Sequence, residues 1–143
     1  MGSPSRFFIP LLLLVSSSIC SQDLQVDSLG FQTFEMTEGD TTYVMKKYFI
    51  AFLKAGPTRD QSEKEAQTIQ EGHMAHMNRL AEEKKICIAG PFEGDGEFQG
   101  MLVFNVPNLE EVEKLVAQDP AVKAGRLLLE VHPWWAAKGS KLE

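Results

Sequence analysis

The sequence predicts an α+β domain built on one four-stranded antiparallel sheet, with two helices packed on the same face. Three observations predict it. Strand-like runs at residues 43–54, 86–89, 100–106 and 126–132 are rich in β-branched, aromatic or aliphatic residues and bounded by Gly, Pro or polar turns. Two stretches between them repeat apolar residues at spacings of three and four. The resulting order, βαββαβ, is the split βαβ or ferredoxin-like arrangement.

The elements follow in turn. Tyr43 to Lys54 ends at Gly56-Pro57, which stops the first strand. Ala66, Ile69, His73, Met77 and Leu80 form the apolar stripe of an amphipathic helix within residues 60–85, with Gly72 a weak point and not a break. Ile86 to Ala89, closed by Gly90-Pro91, and Gly100 to Val106 form a hairpin around Glu93-Gly94-Asp95-Gly96. Asn108 is a good N-cap, Glu110 and Glu111 suit the dipole of the first turn, and Val112, Leu115 and Val116 mark the buried face of a second helix that Pro120 stops. Arg126 to His132 is the last strand, and Pro133-Trp134-Trp135 leads into a polar tail, residues 138–143. Adjacent tryptophans there read as a plug at the sheet edge or a dimer seam, with ligand stacking as the alternative.

With 143 residues, 43% of them apolar, the chain fits one compact domain, residues 42–137, plus a short extension. A net charge of −6 and the lack of a clustered Lys/Arg stripe argue against nucleic acid, whose phosphates need many cations on one surface. No Gly-rich phosphate loop, nucleotide motif or haem-attachment motif is present, and no cofactor is expected.

Residues 1–21 belong to a different class of segment. Arg6 makes a minimal positive region, Phe7 to Val15 is an apolar run too short to span a bilayer, and Ser16 to Ser21 supply small residues for cleavage. An export signal is expected, giving a periplasmic or secreted chain with no stable membrane span after its removal. A buried N-terminal segment is the alternative. Cys20 admits a lipoprotein, against which Ile19 is bulky for the position before a lipobox cysteine. Cleavage leaves Cys87 as the lone thiol, unable to close an internal bridge. In the run Ile86-Cys87-Ile88-Ala89 it reads as a buried small hydrophobe, since no cation beside it in the strand lowers its pKa. Residues 22–41 read as a linker or N-terminal arm with at most one short strand.

The strands do not alternate cleanly between apolar and polar. Tyr48, Ile50 and Phe52 oppose Phe49, Ala51 and Leu53, and Met101 and Val103 oppose Leu102, Phe104 and Val106, so both sheet faces need cover. Two helices cover one. A second copy of the sheet, in a homodimer, covers the other; the N-terminal arm folding over it is the competing solution.

His73 and His76 both fall towards the core side of the first helix. A metal pair needs further ligands in frame, and none is evident. A histidine on an apolar face is by itself more often a satisfied core residue than a catalyst. Asp119-Pro120 is, likewise, a turn signal in its own right.

The run His73-Met74-Ala75-His76-Met77-Asn78-Arg79-Leu80-Ala81, then Ile86-Cys87-Ile88-Ala89-Gly90-Pro91, then Asp119-Pro120-Ala121-Val122-Lys123-Ala124-Gly125 before a strand ending in Pro133-Trp134, resembles the YciI-like (YCII-related) family over residues 43–137. The resemblance implies a dimeric α/β barrel and a His–Asp pair in a cleft beside the sheet. His73, not His76, matches the family's histidine in its spacing to Ala-Gly-Pro, and Asp119 matches its aspartate. The chain departs from many relatives in carrying Lys84-Lys85 where a glycine often ends the first helix, and Ala121 where an aromatic often follows Asp-Pro. Relatives are associated with proton abstraction from small cyclic or phenolic compounds, including dehydrohalogenation. By that resemblance His73 would abstract a proton and Asp119 would orient it, in a cofactor-free lyase, isomerase or dehalogenase. A non-catalytic dimer that binds a small molecule or serves as an accessory module is the other class. An enzyme needs His73 within reach of Asp119 beside a solvent-connected pocket, whereas a binding module can leave them apart.

Overall fold

A computed structural model describes residues 23–142 apart from Asp95. The expected export signal lies outside the described residues. Strands β1 (Gln25–Val26), β2 (Gln32–Glu38) and β3 (Thr41–Ala55) are followed by α1 (Glu63–Glu82), β4 (Ile86–Pro91), β5 (Phe98–Phe104), α2 (Leu109–Val116), α3 (Pro120–Lys123) and β6 (Leu127–Ala137). The central strand β3 pairs with β6 from Met45 to Ala55 on one side, and on the other with β2 near its start and β5 near its end, all antiparallel. With β4 beside β5, the strands β6, β3, β5 and β4 make the ferredoxin-like sheet that the βαββαβ order predicts.

Two additions to that sheet were not expected. Residues 23–41, within the expected linker or arm, hold two strands where at most one short one was expected: β1 and β2 extend the sheet beside the first half of β3. The last strand does not end at His132 but runs through Pro133 to Ala137. Pro133 is tolerated because β6 pairs only with β3, so its missing N–H can lie on the free edge. Trp135 in this extension packs edge-on against Phe34 of β2, with ring centroids 4.8 Å apart, and Trp134 lies beside Tyr48.

The core lies between one sheet face and the helices, where Phe49, Ala51, Leu53, Leu102, Phe104 and Val106 meet Met77, Leu80, Val112 and Leu115. Leu80 is fully buried; truncation of such a side chain to Ala costs about 2–5 kcal/mol. The opposite face carries the other half of each apolar alternation. Ile50, Phe52, Ile88 and Met101 are half-buried there, and Phe92 and Phe98, which pack on Phe52, are exposed.

Helix α1 starts in a capping box: the Ser62 hydroxyl accepts from the Glu65 N–H while the Glu65 carboxylate accepts from the Ser62 N–H. It ends in a Schellman turn. Lys85 N–H donates to Leu80 O and Lys84 N–H to Ala81 O, which places Lys84 in the left-handed region at φ 57°.

Cys87 departs from expectation. A register shift between Ile86 and Ile88 turns its side chain out, so the thiol is exposed and not a buried hydrophobe. Partial desolvation still pushes its pKa up, against the pull of the Lys46 charge.

Candidate active site

Gly72 brings α1 close to the turn that opens α3, because a Cβ at that position would stand 3.0 Å from the Pro120 ring. Asp119 is the N-cap of that turn. The second helix ends at Val116, and Pro120 does not simply stop it but starts α3 at the first helical position, where proline's fixed φ suits and its missing N–H costs nothing. The Asp119 Oδ1 accepts from Ala121 N–H at 2.8 Å. Its Oδ2 lies 2.7 Å from Nδ1 of His73. Capping and pairing with the histidine are thus both carried by one carboxylate, which is 2% exposed.

The chemistry of the pair follows from its protonation. Burial alone would push the Asp119 carboxyl up, but the hydrogen bonds from His73 and from the Ala121 N–H outweigh it and hold the group below its usual range. An ionised carboxylate only accepts, so the proton of the short contact belongs to His73 Nδ1. That leaves Nε2 of the neutral ring with its lone pair free. Among the described residues no hydrogen-bond partner meets Nε2.

His73 lies on the wall of a cleft of about 590 Å³ between α1 and the β4–β5 hairpin. Gln70, His73, Met74, Met77, Asn78 and Ala81 form the helix wall, and Leu53, Ile86 and Leu102 close the sheet side. The volume suits one small ring compound.

His76 is not part of this site. Its Nε2 donates to Leu115 O at 3.0 Å and its Nδ1 accepts from Arg79 Nη2 at 2.9 Å, a pattern that needs the neutral ring. Burial lowers its pKa, with the Arg79 charge adding to that and the Asp119 charge opposing it. The two histidines therefore serve separate roles, and no group of three potential ligands gathers near them among the described residues.

The structure brings together the two residues that the sequence singles out, His73 and Asp119. It adds lining groups that the sequence reading missed: Arg59, Gln70, Asn78 and Gln99. Gln70, Met74 and Asn78 sit one position beside the stripe at spacings of four, and a large apolar Met74 off the stripe was the available signal.

The model of the YCII-related domain family matches residues 50–135, from within β3 to within β6, a span that holds both His73 and Asp119. No curated protein matches the chain. Among solved structures, the chain is similar to 5-chloro-2-hydroxyhydroquinone dehydrochlorinase (TftG) from Burkholderia phenoliruptrix AC1100, in complex with 2,5-dihydroxybenzoquinone. That likeness has 25% identity and a TM-score of 0.48, covering 61% of this chain and 92% of that one.

Proposed function

Because the chain belongs to the YCII-related domain family, we propose that it is an enzyme in which His73, oriented by Asp119, removes a proton from a small cyclic or phenolic compound. The observation that carries this reading is the 2.7 Å contact from His73 Nδ1 to Asp119 Oδ2, made by a histidine that lines the cleft. The carboxylate fixes the tautomer, and Nε2 acts as the base. A carbon–hydrogen bond breaks, its proton goes to Nε2, and the electron pair passes into the conjugated ring. Expulsion of a leaving group such as halide then makes the reaction an elimination, while return of the proton to another carbon makes it an isomerisation. Neither route requires a cofactor. Such a base contributes about 10² to 10⁴ in rate.

Two further parts of the reading rest on sequence patterning. A homodimer joined through the open sheet faces would cover Ile50, Phe52, Ile88 and Met101, and residues 1–21 mark the chain for export.

Screening the purified chain against a panel of small aromatic and lactone compounds, with His73→Ala as control, tests the reaction. Turnover that falls by about 10²-fold or more in the variant is expected. A variant as active as the parent would overturn the role of His73.

A further inference from the structure

Arg59 is the one residue lining the cleft, among those described, that carries a fixed charge; no Asp, Glu or Lys joins it there. In a chain with 20 acidic against 14 basic residues, such a cation would ordinarily find a carboxylate. Arg59 makes no ion pair among the described residues. Its Nε donates to Gly56 O at 3.3 Å, and its two terminal nitrogens have no acceptor among the described residues.

The loop that carries Arg59 is held to the turn after α3. Gly56 N–H donates to Arg126 O at 2.8 Å and Thr58 N–H to Gly125 O at 3.1 Å. Gln61 donates to Ala124 O and accepts from Arg126. The approach leaves no room for side chains: a Cβ on Gly56 would fall 2.1 Å from Gly125 O, and Gly125 itself sits at φ +68°. Arg59 and the carboxylate behind His73 are thus both fixed to the segment from Asp119 to Arg126.

We infer that the cleft takes a small unsaturated ring bearing an oxyanion, a carboxylate or a phenolate, which the Arg59 guanidinium holds; the assignment deepens the base role of His73 and rests on it. Leu53, Met74, Met77, Ile86 and Leu102 supply apolar walls for the ring. The guanidinium fork matches a two-oxygen anion and hydrogen-bonds it with charge assistance. With the oxyanion conjugated to the carbon that loses its proton, Arg59 also offsets the negative charge that the departing proton leaves on the ring. A cationic ligand would meet repulsion in the same place.

Calorimetric binding of two matched pairs tests this on the full chain: benzoate against benzamide, and 4-nitrophenolate against 4-nitroanisole at a pH where the phenol is ionised. The anion of at least one pair is expected to bind about tenfold more tightly than its neutral partner, and the pair that shows it identifies the oxyanion. Arg59→Gln is expected to erase the preference by weakening the anion alone, and Arg59→Lys to keep part of it. His73→Asn is expected to retain the preference. Equal affinity within both pairs, no saturable binding of any probe, or a preference that survives Arg59→Gln overturns the inference. A cleft that prefers anions through Arg59 but never turns over a substrate leaves this inference standing and removes the base role of His73. A catalytic cleft without the preference does the reverse.

Discussion

Gly72 of the first helix and Pro120 of the last helical turn meet where any added side-chain carbon would lie 3.0 Å from the Pro120 Cγ and 3.3 Å from its Cβ. The contact sets how near His73, the next residue along α1, comes to Asp119, the residue before Pro120. A glycine inside a helix costs about 1 kcal/mol relative to alanine, so its presence here is explained by closeness and not by helix formation.

Gly72→Ala is therefore expected to separate stability from activity. The gain in helix propensity is offset by the displaced proline ring, leaving the melting temperature within a few degrees of the parent, while turnover falls by about tenfold or more as the pair is pushed apart. Thermal unfolding followed beside kcat checks both. An unchanged kcat would show that the approach of the two elements does not govern the pair.

Asp119→Asn is expected to keep the cap and lose the base. An asparagine oxygen can still accept from Ala121 N–H, but its amide then donates to His73 Nδ1 and drives the proton to Nε2. Stability should fall by about 1–3 kcal/mol, and turnover by about 10²-fold or more. Asp119→Ala should cost about 1 kcal/mol beyond that, since the cap goes as well. Chemical denaturation of the two variants separates the contributions.

Acid should weaken the fold in two windows. His76 has a lowered pKa in the folded chain, so the unfolded chain binds more protons and stability falls as the pH drops from about 6.5 through the folded value. Asp119 is also held low, so its share persists down to about pH 4 and is lost below that. His76→Gln should remove the upper window and leave the lower one. Denaturation midpoints measured across the range check this, and a variant with the same slope between neutrality and about pH 5 contradicts it.

Lys84→Gly is expected to stabilise the chain by about 1 kcal/mol, because a left-handed residue with a Cβ costs roughly 1–2 kcal/mol and glycine's extra freedom when unfolded returns part of that. A denaturation midpoint that does not rise would mean that the Lys84 side chain offsets its backbone conformation.

Much of this architecture was legible in the chain. The alternation of Phe49, Ala51 and Leu53 against Tyr48, Ile50 and Phe52 separated the two sheet faces, and the departure at Lys84 from the usual glycine coincides with the left-handed residue that ends α1. The pairing of β2 was not legible, since Gln32 to Glu38 is mostly polar and its strand exists through hydrogen bonds to β3 and the contact of Phe34 with Trp135. The outward turn of Cys87 depends on a bulge that leaves no mark in composition. For the site, helical spacing could place His73 on the core side but could not bring Asp119 to it. Only the packing of α1 on α3 does that. Arg59 escaped notice for a related reason, as its loop acquires a position solely through bonds to residues 124–126.

The measurement that tests the central claim most directly is nitrogen-resolved NMR of the His73 imidazole at a pH where the ring is neutral. A proton on Nδ1 with Nε2 bare is predicted for the parent chain, and its transfer to Nε2 is predicted in Asp119→Asn. A parent ring that already carries its proton on Nε2 would contradict the account, because Nε2 could not then act as a base.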